Sequence, residues 1–75
     1  MKKNLSELTN GESGIILTVR GEQDLKQRLL EMGFTPGTEV NVERYAPFND
    51  PVEYKIRGYH ISLRRSEASN IIVAM

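Results

Sequence analysis

Residues 24–38 read DLKQRLLEMGFTPGT and contain a short helix together with signals for both of its ends. Leu25, Leu29 and Met32 recur at the spacing of one helical face, while the residues between them are mostly polar. We expect Asp24 to cap the N-terminus, because its carboxylate can accept a hydrogen bond from a free amide of the first turn. The stretch therefore predicts a short amphipathic helix.

The end of this helix determines where the chain goes next. Gly33 is expected to stop it, because glycine adopts the left-handed conformation without steric cost. A Schellman motif would then bring Phe34 onto Leu29. Pro36 and Gly37 have the spacing of a type II turn, in which proline sets φ at the second position and glycine supplies a positive φ at the third. A strand is expected directly after this turn.

Alternating apolar residues predict strands on both sides of the helix. Before it, residues 13–20 alternate, with Ile15, Leu17 and Val19 expected on one face. Arg44 stands in register with the valines of the next strand, so either that strand leaves the core or a bulge changes its direction. A loop is expected over residues 46–51, and the later strands are expected at 39–46, 52–56, 59–63 and 71–73.

This order of elements predicts a mostly β fold. We expect a small SH3-like barrel of about five short strands, with one short α-helix inserted after the first strand. Short strands separated by turns favour a barrel, because a barrel eliminates the edges that an open sheet exposes. A chain of 75 residues has room for one domain, here residues 1–75.

Composition excludes several classes of protein. Ten basic and ten acidic residues cancel, so no general attraction to nucleic acid or to anionic membranes is expected. The absence of cysteine removes disulfides and thiolate chemistry and suits a reducing compartment, which predicts a cytoplasmic location. No long apolar run follows the N-terminus, so neither a signal peptide nor direct membrane insertion is expected.

The chain has few groups suited to catalysis or metal binding. One histidine, no cysteine and no clustered serine motif predict that it is not an enzyme and requires no cofactor. His60 should face solvent on its strand, and Glu53 on the facing strand of the same hairpin could approach it. The pair is a candidate weak site for a divalent transition metal such as iron, although the sequence leaves the strand register open.

Four motifs, taken in order, carry a resemblance to a known family. They are LxxLxxGExG at 5–14, RLxxMGFxPGT at 28–38, APxxDP at 46–51 and GxxIxLRxxEAxxIxV at 58–73. This sequence pattern resembles that of the ferrous iron transport protein A (FeoA) family. The resemblance implies an SH3-like barrel and a small cytoplasmic companion of the ferrous iron transporter FeoB, whose GTP-binding and membrane parts perform transport.

The outer face of the predicted helix is the candidate surface for that partner. Leu30 points away from the apolar stripe and is expected to be largely exposed, with Gln23, Lys26 and Gln27 around it as a polar rim. Arg28 would pack its stem along the barrel and leave its guanidinium available to an acidic group.

Other interpretations remain open at this stage. One is a metal-responsive SH3-like regulatory module that binds a transition metal ion and modulates a repressor-type partner. It would be similar to the SH3-like domain of iron-dependent repressors of the diphtheria-toxin-repressor type, although no helix-turn-helix is present. A nucleic-acid-binding barrel would need an exposed surface of aromatic and basic residues, which the scattered aromatic residues do not suggest. Weak homo-oligomerisation also stays open.

Overall fold

A computed structural model of the chain describes residues 1–45 and 50–75. Most of the loop expected at 46–51 therefore lies outside the described residues. The elements are β1 (Lys2–Asn4), a 3-10 turn (Leu5–Glu7), β2 (Ser13–Val19), α1 (Gln23–Glu31), β3 (Glu39–Tyr45), β4 (Val52–Ile56), β5 (Tyr59–Leu63), α2 (Arg65–Ala68) and β6 (Ile71–Ala74).

The described strands form one antiparallel sheet in the order β1-β6-β2-β3-β4-β5. The mostly β prediction is confirmed, with six strands instead of about five. β1 was not expected, because Lys2–Asn4 has no apolar alternation; it forms by pairing with β6, where Lys3 lies opposite Val73. No pairing joins β5 to β1 within the described ranges, so the sheet keeps the two edges that a fully closed barrel would remove.

The core lies between the inner face of this sheet, α1, the 3-10 turn and α2. Phe34 and Tyr54 are its largest buried side chains, and their rings meet edge to face with centroids 6.5 Å apart. None of the described residues buries a polar or charged side chain in this core. The buried set is Leu5, Leu8, Ile16, Val19, Leu29, Phe34, Val40, Val42, Val52, Tyr54, Ile56, Leu63, Ala68, Ile71 and Val73.

The C-terminus of α1 has the predicted Schellman geometry. The Phe34 amide donates to the Leu29 carbonyl and the Gly33 amide to the Leu30 carbonyl, both at 3.1 Å. Gly33 has a φ of 111°, and both Leu29 and Phe34 are fully buried. The prediction for the other end was wrong: Glu22 occupies the cap position and Asp24 lies within the first turn, where its charge still favours the helix dipole.

A bulge in β2 overturns the predicted face of that strand. Against β6, the pairing shifts between Ile16 and Thr18, so the strict two-residue alternation is broken. Ile16 and Val19 are consequently buried, whereas Ile15 and Leu17, which were expected to share a face with Val19, are exposed.

A second bulge resolves the alternative left open at Arg44. Val42 pairs with Tyr54, but Arg44 pairs with Glu53, so Glu43 is the extra residue of β3. The chain therefore continues pairing with β4 beyond the bulge. The bulge interpretation is confirmed, and the interpretation that the strand leaves the core at this point is not.

β4 and β5 form the expected hairpin. The turn residues Arg57 and Gly58 both have positive φ, 51° and 83°, as a two-residue type I′ turn requires. The Arg57 guanidinium donates to the Thr35 and Thr38 hydroxyls at 3.2 and 3.0 Å, which ties the hairpin tip to the turn after α1. Tyr59 is 71% exposed at this end of the sheet.

We predict that Gly33→Val lowers the free energy of unfolding by about 1–2 kcal/mol, because a β-branched residue is forced to a positive φ. A Cβ at this position would meet no atom within 4 Å, so the loss isolates backbone strain from steric clash. Urea denaturation measures it. Gly33→Asn is the control and should lose less, since asparagine tolerates this region; equal midpoints for all three proteins would contradict the motif's importance.

Candidate functional site

The outer surface of α1 carries most of the residues predicted for partner binding. Gln23, Lys26 and Gln27 are exposed, as expected for a polar rim. The prediction that Leu30 is largely exposed was wrong: it is half-buried and packs against the core. Leu30 is about 100° around the helix from the fully buried Leu29, so its long side chain sits at the border of the buried face. The surface is thus polar, with an apolar margin.

Arg28 connects α1 to α2. Its guanidinium donates to Glu67 Oε2 at 2.5 Å, and the exposed fractions of the two side chains are 60% and 24%. Glu67 Oε1 also accepts a hydrogen bond from the Arg64 amide at 3.0 Å. The predicted acidic partner of Arg28 is therefore a residue of this chain. Because Arg28 is mostly solvated, the ion pair is worth at most about 1 kcal/mol.

A cleft of about 310 Å³ lies beside this ion pair and was not foreseen. Asp50 lines one side, and its Oδ1 accepts a hydrogen bond from the Arg65 amide at 3.0 Å. Ser62, Arg64 and Glu67 contribute polar groups of both signs to the lining. Its lining comes from the residues just before β4, from β5 and from the start of α2, so no local sequence signal could have indicated it.

The candidate metal pair is brought together by the β4–β5 hairpin. His60 Nδ1 lies 3.9 Å from Glu53 Oε1, although Glu53 is paired directly with Ser62 and His60 with Lys55. The approach is therefore diagonal across the two strands. Within residues 1–45 and 50–75, no cluster of three or more His, Cys, Asp or Glu side chains is suited to hold a metal ion. An exposed histidine and a half-buried glutamate beside a lysine fit only weak binding.

No helix in the described part of the chain is long and apolar enough to cross a membrane.

The FeoA domain model matches residues 3–75. The chain belongs to the FeoA domain family. The four motifs that suggested this family span the same region, and the resemblance inferred from them is confirmed.

Relatives of this FeoA domain include a curated fusion protein and solved structures. The chain is 44% identical over 71 residues, 95% of its length, to the Fe(2+) transport protein A/Fe(2+) transporter FeoB fusion protein of Porphyromonas gingivalis. It spans only 8% of that relative's length.

Two solved structures establish the fold class. A FeoA-like protein from Clostridium acetobutylicum superposes with a TM-score of 0.91 at 32% identity, covering 99% of this chain and 86% of that one. Stenotrophomonas maltophilia FeoA, described as an SH3 domain protein and solved with zinc, gives 0.81 at 30% identity, covering 97% and 88%. The SH3-like prediction is thereby confirmed.

We predict a coupling free energy of about 0.5–1 kcal/mol between Arg28 and Glu67 in a double-mutant cycle. Arg28→Met keeps the aliphatic stem, and Glu67→Gln keeps an acceptor for the Arg64 amide, so the cycle isolates the charge pair. Urea denaturation at low and high salt measures it, and the coupling should fall as salt rises. A coupling of zero at low salt would mean that the ion pair does not stabilise the α1–α2 arrangement.

We predict that Zn²⁺, and Fe²⁺ under anaerobic conditions, bind with dissociation constants weaker than about 1 µM, because a tight site needs more than two protein ligands. Calorimetric titration measures the affinity. Any binding at the hairpin should be lost in His60→Ala and in Glu53→Gln but kept in Glu39→Gln, an exposed carboxylate on another strand. Submicromolar affinity that His60→Ala abolishes would instead establish a true metal site.

Proposed function

We propose that this FeoA domain is a cytoplasmic, non-enzymatic accessory module that binds a FeoB-type ferrous iron transporter and regulates or assembles it. The observation that carries the proposal is the 44% identical relative in which the FeoA and FeoB parts share one polypeptide. A covalent link holds two modules at high effective concentration. Where they occur on separate chains, the same proximity requires a binding surface.

The exposed side of α1 is our candidate for that surface. Gln23, Lys26 and Gln27 are exposed together on one side of the helix. The half-buried Leu30 adds an apolar side chain beside them, and protein interfaces commonly combine an apolar centre with a polar rim. Arg28 lies at the edge of this surface and is held by Glu67, so its guanidinium is already oriented before a partner arrives. The fully buried Leu29 anchors the helix in the core beneath this surface.

Catalysis is not part of the proposal. The one histidine lies beside a glutamate and a lysine on an exposed hairpin, and the sequence has no cysteine to serve as a nucleophile. A phosphate-binding glycine loop with its lysine is also missing from the sequence. Nucleotide chemistry in such a complex would belong to the transporter.

Metal sensing is the second candidate function, and the Glu53–His60 approach is the observation that favours it. It would make the module responsive to a divalent transition metal such as iron. The adaptor function has broader support, because it rests on the whole length of the domain.

We predict that Lys26→Glu weakens binding to the soluble GTP-binding domain of a FeoB transporter by about fivefold, roughly 1 kcal/mol, through loss of one rim charge and introduction of its opposite. Calorimetry with and without guanine nucleotide and Fe²⁺ measures the affinity. Lys55→Glu makes the same change at an exposed position on β4 and is the matched control.

Both variants should keep the wild-type circular dichroism spectrum, because both side chains are exposed. Normal binding by Lys26→Glu would remove the α1 surface from the interface. Absence of binding by the wild-type domain to both the GTP-binding part and the full transporter would refute the adaptor function itself.

A further inference from the structure

The two outer strands of the sheet differ in how well they resist pairing with another chain. β1 is three residues long and carries Lys2 and Lys3, and lysine on an edge strand opposes edge-to-edge association. β5 is five residues long, reads YHISL, and has no lysine, arginine, carboxylate or proline. No strand within the described ranges pairs with its outer edge. We propose that β5 is the site at which two copies of this chain pair antiparallel to form a weak dimer.

The hairpin turn determines which backbone groups of β5 point outward. Ile56 and Tyr59 flank a two-residue turn and therefore exchange hydrogen bonds with each other. In an antiparallel ladder this pattern alternates, so Ile61 and Leu63 also direct their backbone groups at β4. The N–H and C=O groups of His60 and Ser62 point the other way, towards the edge. They provide two donors and two acceptors.

If the twofold axis of the dimer passes between the two Ile61 residues, all of these outward groups form hydrogen bonds between the copies. His60 then lies opposite Ser62 of the second copy, and Ser62 opposite its His60, which gives four backbone hydrogen bonds between the strands. Ile61 faces Ile61 across the axis. This register places no imidazole against another imidazole, whereas an axis at His60 would do so. The edge is therefore self-complementary, as a symmetric dimer interface requires.

The side chains on the inner face add apolar contact to this register. Tyr59 is 71% exposed and Ile61 is half-buried, although both share a face with the buried Leu63. In the dimer Tyr59 lies opposite Leu63 of the second copy, and its ring becomes less exposed to solvent. An interface of one short strand per copy is small, so the association is weak and depends on concentration. It shares no residue with the α1 surface and does not rest on the proposed function.

Sedimentation equilibrium tests the proposal. The wild-type mass should rise with concentration from 8.5 kDa towards twice that value. Ser62→Pro removes an outward N–H, a position at which an edge strand accepts proline, and should stay at the monomer mass. Ser62→Ala, which removes only the hydroxyl, is the matched control and should behave as wild type. A wild-type protein that is monomeric at every concentration, or a folded Ser62→Pro that associates normally, overturns the proposal.

Cysteine cross-linking tests the register even if Ser62→Pro fails to fold. The chain has no cysteine, so a single introduced thiol forms disulfides only between copies. Ile61→Cys places two thiols across a non-hydrogen-bonded pair with Cα atoms about 4.5 Å apart, within disulfide range. It should form a covalent dimer with oxidised glutathione at least severalfold faster than Tyr59→Cys, whose position faces Leu63 instead. Equal rates would overturn the Ile61-centred pairing.

Discussion

The backbone reversal after α1 is the constraint on which the rest of the structure depends. Gly33, at a positive φ, lets the Phe34 amide return to the Leu29 carbonyl, and this bond directs both side chains into the core. Phe34 then meets Tyr54 of β4 edge to face. One local motif thus determines how α1 lies on the sheet and where β3 begins. The outer surface of α1 is exposed because its opposite side is held in this way.

A bulge in β2 and another in β3 adapt the sheet to that core. The shift between Ile16 and Thr18 allows β2 to bury Ile16 and Val19, although they are three residues apart. The shift at Glu43 adds one residue to β3 and keeps the strand paired with β4. A sheet of short strands around a small core must bend strongly, and bulges increase its local twist. The irregular alternation in the sequence is therefore a consequence of curvature.

The polar interactions connect elements that are distant in the chain. Glu67 joins α2 to α1 through Arg28, Asp50 caps the backbone of α2, and Arg57 holds the turn after α1. Each is partly exposed and contributes little stability by itself. Their combined effect is to position the short connections around the sheet, so that the α1 surface and the cleft beside it keep a defined shape. The adaptor function that we propose depends on such a shape.

The sequence by itself determined the features that arise from local geometry. The end of α1 at Gly33, the Pro36–Gly37 turn and the β4–β5 hairpin follow from the φ angles that glycine and proline permit, and the family was recognisable from the same residues. Tertiary structure decided what depends on register and curvature. β1 forms only because β6 offers it an edge, and the bulge in β2 turns Ile15 and Leu17 outward. Leu30 is half-buried because the length of its side chain, as well as its angle around α1, determines whether it contacts the core. Asp50, Arg64 and Glu67 meet at one cleft because folding brings β4, β5 and α2 together, and local sequence spacing carries no information about that distance.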